Sequence, residues 1–215
     1  MQLNEIIPVA EVEARFPRGL QTKLLDFSDP RRFLGEVPED VHATCMSVWN
    51  RIVQMKLKPV DPQAIGPWAM SGDPRIAREI ERIIGVPVIT DAAYFSAKFR
   101  GEKVATVFLV RTFPNSLHLA DVFFRDPAAP LPREQMKRYR DNKGFGLLPT
   151  VIERMKAYAE EHSIEYLTLT AAAGDLVPLF EKHGFTVEDN PMGQFCLRTG
   201  QCIPMERKLS LIASV

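Results

Sequence analysis

Gly144 and Gly146 bracket Phe145 immediately ahead of a helical pattern. A strand, a Gly-x-Gly turn and a helix N-terminus together make an anion site. The turn leaves backbone N–H groups unpaired, the helix dipole favours negative charge, and glycine lets a phosphate approach the backbone closely. An ordinary helix-entry turn uses the same residues, so the loop alone leaves both readings open. Lys137, Arg138, Arg140 and Lys143 concentrate positive charge just before it. They read either as a solvated helix face or as contacts for phosphate groups. Upstream, the run SLHLADVFF (116–124) carries His118 and Asp121. Both are candidates for acid–base work, against the plainer readings of a satisfied strand histidine and a strand-end contact. Three positions apart on a strand, they are expected on opposite faces.

The elements that must position these residues are legible around the loop. Leu148, Val151, Ile152, Met155, Ala159 and His162 recur at spacings of three and four and predict an amphipathic helix. Ile164 to Thr170 (IEYLTLT) suits a buried strand. Pro178, Leu179, Phe180 and His183 predict a second helix, stopped by Gly184 as a C-terminal cap. TVED (186–189) continues as strand, and Asn190 to Gly193 reads as a turn. Residues 195–198 and 202–209 are expected to pair through Thr199-Gly200-Gln201.

The loop Lys143-Gly144-Phe145-Gly146, followed by helix, strand and Leu179-Phe180-Glu181-Lys182-His183-Gly184-Phe185, resembles the acetyl-CoA-binding half of the GNAT superfamily of N-acetyltransferases. That family has a pyrophosphate loop Q/R-x-x-G-x-G/A and a later helix reading N-x-x-A-x-x-L-Y-E-K-x-G-F. The resemblance covers residues 140–185 closely and departs at named places. Asp141 stands at the Q/R position, Ala173 at the Asn, Leu176 at the Ala, and Phe180 at the Tyr that often protonates the departing thiolate. Phenylalanine cannot donate a proton. The resemblance implies acetyl-CoA as co-substrate, held through Arg140, Lys143, Gly144, Phe145, Gly146 and Leu147, with Phe180 beside it. It also implies that backbone groups at Val122, Phe123 and Phe124 flank the thioester and meet its oxyanion.

The rest of the chain fits one domain. Its 215 residues allow a substantial core. Lys plus Arg and Asp plus Glu are 27 each, a balance that gives no support to nucleic-acid or polybasic membrane binding. No apolar run is long enough to span a bilayer, and the N-terminus lacks a signal-peptide core. Cys45, Cys196 and Cys202 are few and odd in number, which argues against a disulfide framework and for a cytoplasmic setting. No ligand set accompanies them, so no metal is expected.

Val9 to Phe16 suits a short helix and Leu20 to Phe27 a first strand. Pro38-Glu39-Asp40 and Asp73-Pro74 open two further helices, separated by a loop containing Trp68 and Met70. Residues 92–99 and 103–113 flank Arg100-Gly101-Glu102 as a hairpin, and 116–124 forms a third antiparallel strand. The expected fold is α/β (α+β), a GNAT-like mixed, mostly antiparallel central sheet flanked by helices. Its order is β-α-α-β-β-β-α-β-α-β-β in one domain over 1–215, with 1–19 an N-terminal extension and 140–185 the acetyl-CoA-binding core.

Two functions follow from the resemblance. One is an N-acetyltransferase moving an acetyl group from acetyl-CoA to an amine of a small molecule or protein, with Asp121 or His118 as base. The other is a GNAT-fold protein without transfer activity, serving as a binding or structural component of a homo-oligomer or larger assembly such as a phage particle. A Rossmann-type dinucleotide site is disfavoured, because the acid expected after the next strand is missing and the preceding strands read as antiparallel.

Overall fold

The computed structural model describes residues 1–16, 18–28, 33, 36, 89–112, 115–136 and 142–209. The helices expected from Pro38 and Asp73, the loop with Trp68 and Met70, Cys45, and the cations Lys137, Arg138 and Arg140 lie outside the described residues.

Among the described residues, seven strands form one mixed sheet: β1 (Leu20–Asp26), β2 (Ile89–Phe99), β3 (Glu102–Thr112), β4 (Ser116–Phe124), β5 (Tyr166–Ala173), β6 (Thr186–Val187) and β7 (Gln201–Lys208). Their spatial order is β1-β2-β3-β4-β5-β7-β6. Every neighbouring pair is antiparallel except β4 and β5. Arg100 and Gly101 close the β2–β3 hairpin with φ of 52° and 84°, the left-handed pair that matches the twist of the flanking strands. The sheet is thus mostly antiparallel and flanked by helices, as expected.

The helices among the described residues are α1 (Val9–Glu13), α2 (Leu148–Glu161), α3 (Val177–Glu181) and α4 (Pro191–Thr199). Of the predicted stripe on α2, Val151, Ile152, Met155 and Ala159 are buried in the main core and Leu148 packs against it; Tyr158, outside the predicted stripe, is buried with them. His162 lies just past the helix end, with its Nε2 3.0 Å from the Met1 carbonyl oxygen. Alternation along β3 divides the interior. Val107 and Leu109 join α2, α3 and the first strand-free segment in the main core, while Phe108 and Val110 join Leu25, Phe33, Ala92 and Tyr94 on the other face. Leu3, Ile6, Ile7 and Val12 are all buried in the main core. Residues 1–16, expected within an N-terminal extension, therefore close the α2 face of the sheet.

The chain between β6 and β7 departs from expectation. The turn at 190–193 and the strand at 195–198 are replaced by α4. Asn190 accepts a 2.8 Å bond from the Gly193 amide, Pro191 occupies the first turn, and Gly200 at φ 71° ends the helix. These are ordinary start and stop signals. Gly193 is required here: a Cβ would sit 2.1 Å from the Glu188 carbonyl oxygen. No helix among the described residues is long and apolar enough to cross a membrane.

Candidate functional site

The site is set by where one strand pair ends. β4 and β5 pair from Ser116–Tyr166 to Leu119–Leu169. Beyond that point β4 continues against β3 as far as Phe124, and β5 continues against β7 as far as Ala173. The two strands part, and the inner edge of each is left without a strand partner among the described residues. A register shift in the β3–β4 ladder, at Ala120, coincides with the parting. It is a β-bulge, which bends a strand and terminates pairing.

A cleft of about 490 Å³ fills the gap. One wall is Val122, Phe123, Phe124 and Arg125, and the other is Leu176, Leu179, Phe180 and His183 of the α3 region. Gly144, Gly146, Leu147, Leu148 and Pro149 close its end at the start of α2, with Asn142 beside them. The lining is mostly apolar. Arg125 and His183 carry its ionisable side chains among the described residues.

The glycine loop is held from two sides. The Asp126 amide donates to the Lys143 carbonyl at 2.8 Å, and the Lys143 amide donates to Ala129 at 2.9 Å. Asn142 Nδ2 donates to the Asp126 carbonyl at 2.8 Å, and Arg125 Nε donates to Asn142 Oδ1 at 3.1 Å. From the core side, Phe145 is buried against Phe16 and Phe124, with centroids 5.6 and 6.2 Å away. The Arg15 guanidinium stands 5.1 Å from the Phe145 ring and donates to the Phe145 carbonyl at 3.0 Å. With side chain and carbonyl both engaged on the core side, the opposite face of the backbone is presented to the cleft.

Both loop positions favour glycine. A Cβ on Gly144 would lie 3.1 Å from the Phe124 carbonyl oxygen, and Gly146 has φ 72°. The amides of Phe145, Gly146 and Leu147 donate no backbone hydrogen bond among the described residues. α2 begins beside them with no side-chain cap. Amides without a backbone partner among the described residues, at the N-terminus of a fourteen-residue helix, are groups of the kind that favour an anion.

The structure places the expected residues as follows. Val122, Phe123, Phe124, Gly144, Gly146, Leu147 and Phe180 line the cleft. Phe145 turns inward as an anchor, and Lys143 is exposed with its backbone clamped. Arg140 lies outside the described residues. His118 is 4% exposed and shares a 2.8 Å hydrogen bond between its Nδ1 and Thr168 Oγ1. Asp121 pairs across to Phe108 and His118 to Val110, so the two share a face rather than taking opposite ones. The Ala120 bulge inserts the residue that restores their phase. Leu176, Leu179 and His183 were missed as cleft residues. Their signal was present, since each falls within one helical turn of Phe180. No group of three or more His, Cys, Asp or Glu that would hold a metal occurs among the described residues.

No family model matches the chain, and no curated protein matches it. Its structure is similar to the PaiA N-acetyltransferase of Thermoplasma acidophilum in complex with coenzyme A, at 14% identity and TM-score 0.34, covering 88% of this chain and 99% of that one. It is similar to an acyl-CoA N-acyltransferase of Pseudomonas aeruginosa at 14% identity and TM-score 0.39, covering 87% and 99%. A GNAT family acetyltransferase of Elizabethkingia anophelis with acetyl-CoA bound is similar at 11% identity and TM-score 0.33, covering 55% of this chain and 76% of that one.

Proposed function

We propose that this protein transfers an acetyl group from acetyl-CoA to an amine of a small molecule or protein. The observation that carries the reading is the parting of β4 and β5 directly over the Gly144–Gly146 loop and the uncapped start of α2. A long apolar slot that ends in an anion site suits a thioester on a phosphate-bearing arm.

Each part of the chemistry has a place. The amides of Phe145, Gly146 and Leu147 hold phosphate oxygens. Val122, Phe123 and Phe124 on one wall and Leu176, Leu179 and Phe180 on the other enclose the arm and exclude water, which strengthens every polar contact inside. Holding thioester and amine together supplies the proximity contribution. The unpaired edge of β4 past Leu119 offers backbone donors to the developing oxyanion. The amine nitrogen attacks the carbonyl carbon, the carbon–sulfur bond breaks, the ammonium proton passes to a base, and the thiolate takes a proton from solvent or an acid. Asp121 is kept as a base candidate by its place on β4 beyond the parting, although it stands on the Phe108 face and does not line the cleft. His118 is committed to Thr168.

Phe180 favours a second reading, a protein that binds acetyl-CoA or a like ligand without turning it over. Its ring lies 6% exposed in the cleft wall and carries no proton. Calorimetric titration with acetyl-CoA, native protein against Gly144→Glu, tests the site. Micromolar binding lost in the variant supports it, and no binding at millimolar acetyl-CoA overturns both readings. Release of CoA on addition of amines then separates the transferase from the silent binder.

A further inference from the structure

A second cavity, of about 440 Å³, lies at the end of the sheet where β4 begins, away from the cleft at its other end. Its walls include Asp91 of β2, Arg111 of β3, Tyr158 of α2 and His162 just past that helix, with Gln2 and Asn4 of the N-terminal segment. Tyr158 lies ten residues along α2 from Leu148, which lines the cleft, or about 15 Å by helical rise. The two cavities share no lining residue.

Asp91 and Arg111 stand directly opposite each other in the β2–β3 ladder, and both are half-buried. Side chains so placed are neighbours on one face, and unlike charges there ordinarily pair. These two form no ion pair among the described residues. Asp91 Oδ1 accepts instead from the Ala92 amide at 2.8 Å. Tyr158 is 2% exposed and lies against His162, with ring centroids 4.1 Å apart. Burial raises the Tyr158 pKa and the Asp91 charge adds to it, while Arg111 opposes both by its charge and a hydrogen bond. Arg111 therefore has the Tyr158 hydroxyl as well as Asp91 within its reach. Burial also raises the Asp91 carboxyl, against the pull of the Ala92 amide and of Arg111. An acid and a base are held side by side at the cavity without closing on each other.

We infer that this cavity is a second binding site, taking a free α-amino acid with its carboxylate on Arg111 and its ammonium on Asp91. The guanidinium presents a planar fork of donors that matches a carboxylate. Asp91 Oδ2, which bonds to no described residue, is left for the ammonium. A cation there offsets the unfavourable burial of the carboxylate. An α-amino acid carries both charges on one carbon, a separation that suits side chains facing each other across a ladder. A simple anion such as phosphate would meet Asp91 and the nearby Asp26 as like charges, and a simple amine would meet Arg111. The zwitterion satisfies both sides at once, and the Tyr158 hydroxyl, Gln2 and Asn4 offer it further polar contacts.

The test is calorimetric titration of the native protein with each standard L-α-amino acid, up to about 10 mM. An amino acid that binds is compared with its N-acetyl derivative, which lacks the ammonium, and its amide, which lacks the carboxylate. Native protein is expected to prefer the amino acid to either derivative by about tenfold or more, the order of one hydrogen bond to a charged group. Asp91→Asn should lose the preference over the N-acetyl form, and Arg111→Gln the preference over the amide, each keeping the other. Asp91→Asn has no charge to bury and is expected to fold at least as stably as the native protein, so thermal unfolding separates lost recognition from lost structure. No binding by any amino acid overturns the inference, as does a preference that both variants retain. Gly144→Glu should bind the amino acid as the native protein does; loss of binding there would put the ligand in the cleft and overturn the inference too. None of these outcomes depends on acetyl-CoA.

Discussion

His118 and Asp121 project from the same face of β4, although they are three positions apart, because Ala120 bulges out of the ladder with β3. The shared face separates their work instead of joining it. His118 is consumed by its bond to Thr168 on β5, the last stretch where the two strands still pair. Replacing His118 by Ala leaves the buried Thr168 hydroxyl without that partner and is expected to cost about 1–3 kcal/mol. Urea unfolding reads this as a lowered midpoint at unchanged m-value, with acetyl-CoA affinity kept. Asp121→Asn is expected to keep acetyl-CoA affinity as well and to lower acetyl transfer about a hundredfold, the reach of a general base. Equal transfer by the variant would remove Asp121 from the mechanism.

Phe145 and Arg15 anchor the loop on its core side. Arg15 engages the ring and the carbonyl of Phe145 at once. Arg15→Ala is expected to weaken acetyl-CoA binding several-fold while the far wall of the cleft is untouched. Phe145→Ala removes an aromatic side chain from the core and is expected to cost about 3–5 kcal/mol. Thermal unfolding and ligand titration on the two variants separate the effects: Arg15→Ala should act mainly on affinity, Phe145→Ala on both.

At the end of the sheet where β4 begins, Asp91 on β2 stands opposite Arg111 on β3, against Tyr158 of α2. Burial is the main influence on the Asp91 carboxyl and raises its pKa, although the Ala92 amide and the Arg111 charge pull it down. A carboxyl raised on folding stabilises fully below its unfolded pKa of about 3.9 and loses that contribution as pH rises through the folded value. Asp91→Asn keeps an oxygen for the 2.8 Å bond from the Ala92 amide and has no charge to bury. It is expected to raise the thermal midpoint at pH 7, with the gain shrinking to nothing by about pH 3.5. A midpoint unchanged at pH 7 would show that attraction to Arg111 offsets the burial.

The sequence by itself determined the local elements that follow strong short-range rules. The stripe from Val151 to Ala159, the Arg100-Gly101 hairpin and the Gly184 helix stop each rest on periodicity or backbone sterics within a few residues, and each is found in place. The glycine loop and its helix were legible for the same reason. α4 carried equally clear signals in Asn190, Pro191 and Gly200, but its few apolar residues also suited a strand, and the Gly193–Glu188 contact that locks it joins the helix to the chain before it. Tertiary structure alone decided the rest. The inward turn of Phe145 depends on Phe16, Phe124 and Arg15, which lie far apart in the chain. The shared face of His118 and Asp121 depends on a bulge that two-residue periodicity does not announce. The cleft exists because β4 and β5 stop pairing at Leu119–Leu169. Strand pairing is settled by competition among many backbone partners, so its end point is a property of the assembled sheet.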